Sequence, residues 1–392
     1  MMAASPHIMF AGGGAPGQLF PGIAVASKVA QFMPQAKITF AGPGKCRERH
    51  AVRSAGYQYL TIPSKPLPQN PLQALRFVTD NLAGYCTAKW TLREQRVSLV
   101  VGLGGHTSTS VVRAAAEKGI PFILLEQNAI PSRTTRWLSR AATMVCAAFE
   151  EVRPHLHIQA PVKVTGNPAR PAFDQMYQRI SASRTEGGDA KTLPFGRLGR
   201  DGQRRMVILG GAGGARSLNE SMPFALAQLK ECLVDWQIVH QTGEGQLQET
   251  ESRYRKVGVE ALAVTYIDEI ASVLFASDLA VCRSGGTTLA ELALAGVPAV
   301  LVPYSHARDD QQLANAKVYV ASKTCRLIDE SSQAGSLDKA LAREITPMLV
   351  DENLRKTMSA NMRSMARPDA SAEIAAAIQV ALFGTRGDLL AA

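Results

Sequence analysis

The chain reads as an α/β protein of two parallel-sheet domains facing a cleft, on three observations. Short, continuous apolar runs alternate with stretches of helical periodicity from end to end, the signature of buried parallel strands joined by helices. Glycine-rich turns follow the carboxyl ends of several of those runs. Finally, a polar stretch over 181–205, rich in Gly, Arg, Lys and Ser, separates two such series and reads as a linker or surface insertion.

The first series opens with a strand at His7–Phe10, followed by Gly12-Gly13-Gly14-Ala15-Pro16-Gly17-Gln18 and a helix over Leu19–Phe32 with Pro21 near its start. A glycine turn between strand and helix opens a Rossmann-like unit. The spacing is not G-x-G-x-x-G, which argues against an NAD-dependent dehydrogenase. Further strands fall at Ala36–Ala41, Tyr57–Ile62, Val97–Gly102, Ile120–Leu124, Thr143–Ala147 and Val162–Thr165. Gly104-Gly105-His106 follows the fourth strand, and Glu126-Gln127-Asn128 is expected just beyond the carboxyl end of the fifth. Ligands of open parallel sheets bind at those ends, so His106, Glu126 and Asn128 are candidates for one site.

After the proline-rich loop Pro63–Pro71, Leu72–Trp90 reads as a helix carrying Leu75, Val78, Leu82, Tyr85 and Trp90 among basic residues. Two readings are open: a helix lying on a membrane surface, or one facing the core.

The second series has strands at Met206–Leu209, Gln237–His240, Ala263–Tyr266, Leu279–Cys282 and Ala299–Val302. Between the last two lie Arg283-Ser284-Gly285-Gly286-Thr287-Thr288 and a helix of Leu289, Leu292 and Leu294, stopped by Gly296. Hydroxyls and backbone N–H groups at a helix N-terminus suit a phosphate or diphosphate, with Ser or Thr also an expected cap. Glu291, one turn in, suits a ribose diol. A last helix, Ala370–Leu382, is expected to pack on one of the domains. The domain reading is 1–180, the insertion 181–205, 206–369, and a C-terminal helix within 370–392.

Composition narrows the partners. The 392 residues are 46% hydrophobic and 19% charged, with a formal charge of +10, which suits an acidic ligand or an anionic membrane surface. Basic residues are scattered and no nucleic-acid module appears, which sets nucleic acid aside. The six cysteines form no C-x-x-C pair, as expected of reduced thiols in the cytoplasm. No apolar run reaches the roughly 18–20 residues of a membrane span, so a cytoplasmic protein is expected, with binding to a membrane surface left open.

The motifs together resemble those of the MurG family. They are Phe20-Pro21-Gly22-Ile23-Ala24, Gly102-Leu103-Gly104-Gly105, Glu126-Gln127-Asn128, Gly166-Asn167-Pro168-Ala169-Arg170, Gly214-Ala215-Arg216-Ser217-Leu218-Asn219, His240-Gln241-Thr242-Gly243, Tyr266-Ile267-Asp268, Cys282-Arg283-Ser284-Gly285, Gln311-Gln312 and Ala366-Arg367-Pro368-Asp369. Their order and spacing span nearly the whole chain. The resemblance implies the GT-B fold and an inverting, metal-independent glycosyltransferase with no cofactor. It would move N-acetylglucosamine from UDP-N-acetylglucosamine to lipid I, forming lipid II in peptidoglycan synthesis, at the cytoplasmic face of the inner membrane. It further implies that Tyr266 and Ile267 read uracil, Glu291 the ribose, and Ser284, Gly285, Gly286 and Thr287 the diphosphate. Gln311 and Gln312 would read the sugar, while Asn128, Arg170 and Ala212 complete the donor set. Gly13, Gly14, Gly104, Gly105 and Asn128 would line the acceptor side.

Departures from the family pattern fall on both sides. Gln18 stands where the family has a histidine, and an amide is no base; the candidates left are His106 and Glu126. Ala212-Gly213 replaces the family's Ser-Gln pair. A related UDP-sugar transferase with another lipid or small-molecule acceptor, or a nucleotide-sugar-binding protein without catalysis, are the alternatives.

Overall fold

A computed structural model describes residues 5–14, 16–65, 74–157, 159, 161–185, 203–211, 213–304, 310–331 and 335–384. The chain divides into two compact units, residues 1–171 with 367–392, and residues 172–366.

The N-terminal unit is a seven-stranded parallel sheet of β1 (His7–Gly12), β2 (Lys37–Gly42), β3 (Gln58–Thr61), β4 (Leu99–Gly104), β5 (Phe122–Glu126), β6 (Met144–Ala147) and β7 (Val162–Val164), in the order β3-β2-β1-β4-β5-β6-β7. Its helices are α1 (Pro16–Phe32), α2 (Cys46–Ser54), α3 (Ala74–Glu94), α4 (Gly105–Glu117) and α5 (Arg133–Leu138). The helix α6 (Pro171–Thr185) leads into the second unit.

There, β8 (Arg204–Leu209), β9 (Trp236–Gln241), β10 (Leu262–Val264), β11 (Leu279–Cys282), β12 (Ala299–Leu301) and β13 (Cys325–Leu327) form a parallel sheet ordered β10-β9-β8-β11-β12-β13. Its helices are α7 (Arg216–Ala227), α8 (Leu247–Val257), α9 (Ile270–Phe275), α10 (Gly286–Ala295), α11 (Gln311–Ala321), α12 (Leu337–Val350) and α13 (Glu352–Ser364). The last helix, α14 (Ala370–Phe383), returns to the N-terminal unit, where Ile374, Ala375, Ala377 and Ile378 join Val25, Ala26 and Val29 in one core.

Both sheets are buried on both faces, which is why their strands read as unbroken apolar runs rather than alternating ones. In each, strand order reverses once: between β1 and β4, and between β8 and β11. Helices leave such a point in opposite directions, opening a crevice at the strand carboxyl ends. The glycine turns sit at these two places.

Several expectations shift by a few residues. Helix α1 starts at Pro16, so Pro21 lies inside it. β4 continues through Gly104, and β5 ends with Glu126, which is therefore a strand residue rather than one beyond the strand. The helix expected from Leu72 is described from Ala74. The insertion is narrower than 181–205, because α6 runs to Thr185 and β8 begins at Arg204; residues 186–202 lie outside the described residues. Gly296 ends α10 in the left-handed conformation (φ 69°), as glycine does best.

Candidate functional site

At the N-terminal switch point the turns after β1 and β4 interlock. A Cβ on Gly105 (φ +81°) would stand 2.5 Å from the Gly13 carbonyl oxygen, so only glycine allows this approach. Gln18, in the first turns of α1, lies with its amide against Gly104 and Gly105, and His106 lies against Gly14. Gln18, His106, Gly13, Gly14, Gly104 and Gly105 are thus brought together. Of these, Gln18, Gly105 and His106 border a cavity of about 680 Å³ whose walls also include Lys65, Thr109 and Arg113.

His106 is half-buried in the first turn of α4. Loss of hydration lowers its pKa, the Lys45 and Lys65 cations add to this, and the Glu48 carboxylate opposes it. The helix N-terminus acts in the same direction as the lysines. The imidazole is therefore neutral at physiological pH, the form that accepts a proton.

Glu48 itself was not legible as a site residue: nothing marks a lone acid in the basic helix α2. It is buried, accepts from Gly14 N at 2.7 Å and from the Tyr59 hydroxyl at 3.3 Å, and Lys45 Nζ donates to Gly14 O at 2.5 Å. The first glycine turn is held by the protein's own charges.

Glu126 differs from the expected base. Its Oε1 accepts from Asn128 N (3.2 Å) and Asn128 Nδ2 (3.1 Å), its Oε2 from Ser132 N (3.2 Å), and the Thr135 side chain adds a fourth donor. Burial pushes its carboxyl above the usual range against these four bonds. Four donors fill the acceptor positions of a carboxylate, so Glu126 ties the 127–135 loop to β5, with Asn128 as its partner. Arg170, near the end of the N-terminal unit, lies over the Phe20 ring at 5.4 Å.

In the C-terminal unit, the turn after β11 enters α10 with Gly285 as N-cap, no side-chain cap and no acid in the first turn. Among the described residues, no atom beyond its chain neighbours lies within 4 Å of a Cβ built on Gly285, which leaves room for a ligand to approach the backbone. Gly286 begins the helix, with Thr287 beside it. Ser284 is fully buried and its hydroxyl donates to Gln312 O at 2.7 Å, while Asn315 Nδ2 donates to Ser284 O at 3.1 Å. Its side chain anchors α11 to the turn and does not cap α10. Glu291 is buried within α10. Gln312 Oε1 accepts from Tyr304 N at 3.0 Å, and Gln311 is the first residue of α11. Ala212 lies outside the described residues.

The neighbouring turn, after β8, is shaped by contact with the turn after β9. A Cβ on Gly214 (φ +77°) would meet Thr242 O at 2.2 Å. Beneath it, Asn219 Nδ2 donates to Thr242 O (2.8 Å) and Gln246 Oε1 (2.7 Å), and its Oδ1 lies 3.0 Å from His240 Nε2. His240 is fully buried against the Tyr254 hydroxyl (2.9 Å), and burial takes its pKa down to about 3. Gln241 bridges two turns, donating to Gly211 O (3.0 Å) and accepting from Ile267 N (3.1 Å). The N–H of Ile267, one of the residues expected to read uracil, is thus bonded within the protein, and exposed Tyr266 stands beside it. Only membership of quoted motifs pointed to Asn219 and Gln241.

A cavity of about 560 Å³ lies here, lined by Gly214, Ser217, Arg283, Tyr304, Gln312 and Glu330. A larger groove of about 850 Å³ is bordered by Trp236 and Leu262, the first residues of β9 and β10. It lies at the amino ends of the strands, away from the switch point, and its size does not make it the better site.

Helix α3, which borders the N-terminal cavity through Phe77, Asn81, Leu82 and Tyr85, has both a buried and an exposed face. Gly84, Ala88, Thr91 and Leu92 are buried, whereas Val78, Leu82 and Trp90 are 57, 60 and 65% exposed. Among the described residues, no helix is long and apolar enough to cross a membrane.

Comparison with known proteins agrees with this geometry. Residues 8–147 match the glycosyltransferase family 28 N-terminal domain and residues 205–374 its C-terminal domain. The UDP-N-acetylglucosamine--N-acetylmuramyl-(pentapeptide) pyrophosphoryl-undecaprenol N-acetylglucosamine transferase of Geobacter sulfurreducens is 33% identical over 368 residues, covering 94% of this chain and 96% of the relative. The enzyme of the same name from Myxococcus xanthus is 31% identical over 369 residues, 94% of this chain and 91% of its own. Among solved structures, Acinetobacter baumannii MurG superposes with a TM-score of 0.71 at 26% identity, covering 95% of this chain and 99% of that one. With two parallel-sheet units in the GT-B arrangement of strands and helices, and with this similarity over nearly its full length, the chain belongs to the MurG family of glycosyltransferases.

Proposed function

We propose that the protein transfers N-acetylglucosamine from UDP-N-acetylglucosamine to undecaprenyl-pyrophosphoryl-N-acetylmuramoyl-pentapeptide, with inversion at the anomeric carbon. The observation that carries this reading is the C-terminal switch point, where the starts of α7 and α10 follow adjacent strands and the turn at Gly285 is open. Helix N-termini favour a diphosphate and stabilise the charge that grows on it as the sugar leaves. Gly285, Gly286 and Thr287 take the diphosphate, Glu291 the ribose hydroxyls, and Tyr266 with Ile267 the base. Gln311 and Gln312 read the sugar: Gln312 Oε1 is held by Tyr304 N, which leaves its Nε2 to donate to a hydroxyl. Arg170 and Asn128 belong to the same donor reading.

On the acceptor side, neutral His106 takes the proton of the attacking hydroxyl. The oxygen then bonds to the anomeric carbon, the carbon–oxygen bond to the diphosphate breaks, and UDP departs. Gln18, the glycine turns and Asn128 position the acceptor. Exposed Val78, Leu82 and Trp90 with the net positive charge support peripheral docking on the anionic cytoplasmic face of the inner membrane.

The test supplies the purified protein with labelled UDP-N-acetylglucosamine and a lipid I analogue, alongside calorimetry with UDP. Label in the lipid product is expected. Transfer only to other acceptors identifies a related transferase, and binding without turnover a protein that has lost catalysis with the family histidine. No affinity for UDP defeats the reading.

A further inference from the structure

One charged cluster at the C-terminal switch point has no part in the reaction as described. Arg283 Nη1 lies 3.2 Å from Glu330 Oε1, and both side chains are largely buried. Ser217 closes the ring: its hydroxyl donates to Glu330 Oε1 at 2.5 Å and accepts from Arg283 Nη2 at 2.9 Å. Arg283 Nη1 also donates to Val302 O (2.9 Å) and Pro303 O (3.1 Å), and the guanidinium lies 5.5 Å over the Tyr304 ring.

These contacts join four elements around one carboxylate. Ser217 is in the first turn of α7, Arg283 follows β11, Val302 and Pro303 follow β12, and Glu330 comes from the turn after β13. Beyond Tyr304, the chain of bonds continues to Gln312 at the start of α11. Removing one partner of a buried pair leaves the other charge uncompensated. Arg283 without Glu330 would swing toward any other acceptor, releasing the Val302 and Pro303 carbonyls and the Ser217 hydroxyl. A lone carboxylate beside a diphosphate would repel it; paired with Arg283, it does not.

We propose that Glu330 is a positioning residue for the sugar-nucleotide donor. By holding Arg283 and Ser217 it sets the spacing between the start of α7 and the segment that carries Gln312, without touching the donor itself. This rests on the donor reading of the C-terminal unit.

The test uses E330A and E330D in the full chain, with steady-state kinetics in each substrate, calorimetry with UDP, and thermal melting. E330A is expected to raise the donor KM and the UDP Kd about tenfold or more. The acceptor KM should stay within about twofold, and E330D should recover most of the donor KM, because a shorter carboxylate keeps the charge and its bonds. An unchanged donor KM in folded E330A overturns the proposal, as does an equal rise in both KM values or no recovery in E330D. Should E330A fail to fold, S217A carries the test: it removes one bridging hydroxyl and should raise the donor KM alone by about threefold, and no rise overturns the proposal. Wild-type protein without affinity for UDP would overturn the donor reading and this proposal with it.

Discussion

The two switch points have the same topology and opposite electrostatic finish. In the N-terminal unit the glycine turn is closed by the protein's own charges: Glu48 takes the Gly14 N–H and Lys45 the Gly14 carbonyl. In the C-terminal unit the Glu330 carboxylate is paired with Arg283, and the turn entering α10 carries no side-chain cap. A helix N-terminus or glycine turn binds an anion only if no internal carboxylate already occupies it. On the proposed reading, the same motif serves as a scaffold for His106 in one unit and as an anion site in the other.

The largest expected effect separates chemistry from binding. His106→Ala should lower kcat about 10²–10⁴-fold with UDP affinity unchanged, read by kinetics and calorimetry. Full turnover in that variant would remove His106 as the base and break the contrast between the units. In the wild type, activity should fall with acid only below the ordinary histidine range, since burial and the Lys45 charge hold the His106 pKa down and the imidazole must be neutral to act.

Glycine substitutions sharpen the same comparison. Gly214→Ala must bring a Cβ to 2.2 Å from a carbonyl oxygen and should cost about 3 kcal/mol, with UDP binding lost. Gly14→Ala meets only a histidine ring edge at 3.5 Å and should cost about 1–2 kcal/mol for its positive φ. Denaturant melts of both variants compare them directly.

Next comes a pH effect from His240 in the C-terminal unit. Burial takes the folded His240 pKa down to about 3 against 6.5 for a solvated imidazole, so the unfolded chain binds the extra proton between those values. Stability is unaffected above pH 6.5 and should fall as pH drops toward 3, by up to about 1.4 kcal/mol per pH unit. His240→Gln should flatten that slope in urea melts taken from pH 7 to 4. The smallest change expected is for Ser284→Ala, about 1 kcal/mol of stability and a slight rise in donor KM. A loss of turnover like that of His106→Ala would instead return Ser284 to the diphosphate site.

Much of this was legible from periodicity and turn chemistry. Buried parallel strands must be apolar throughout, so runs such as Leu279–Cys282 announce themselves, and glycine at a left-handed helix end, as at Gly296, follows from local sterics. Glu126 was visible as a candidate but not its role, because a carboxylate's use depends on which donors surround it. Glu48 and Glu330 carried no signal at all: each acts on a turn far away in the chain.

What the sequence alone determined was the class of fold, the family, and the places where strands hand over to helices, since these rest on interactions between near neighbours. Only the tertiary structure decided which turn is closed and which is open, which serine is buried, and which carboxylate is paired. Those outcomes depend on charges brought together across 34 residues at Gly14 and Glu48 and 113 at Ser217 and Glu330, and no local pattern encodes a contact of that range.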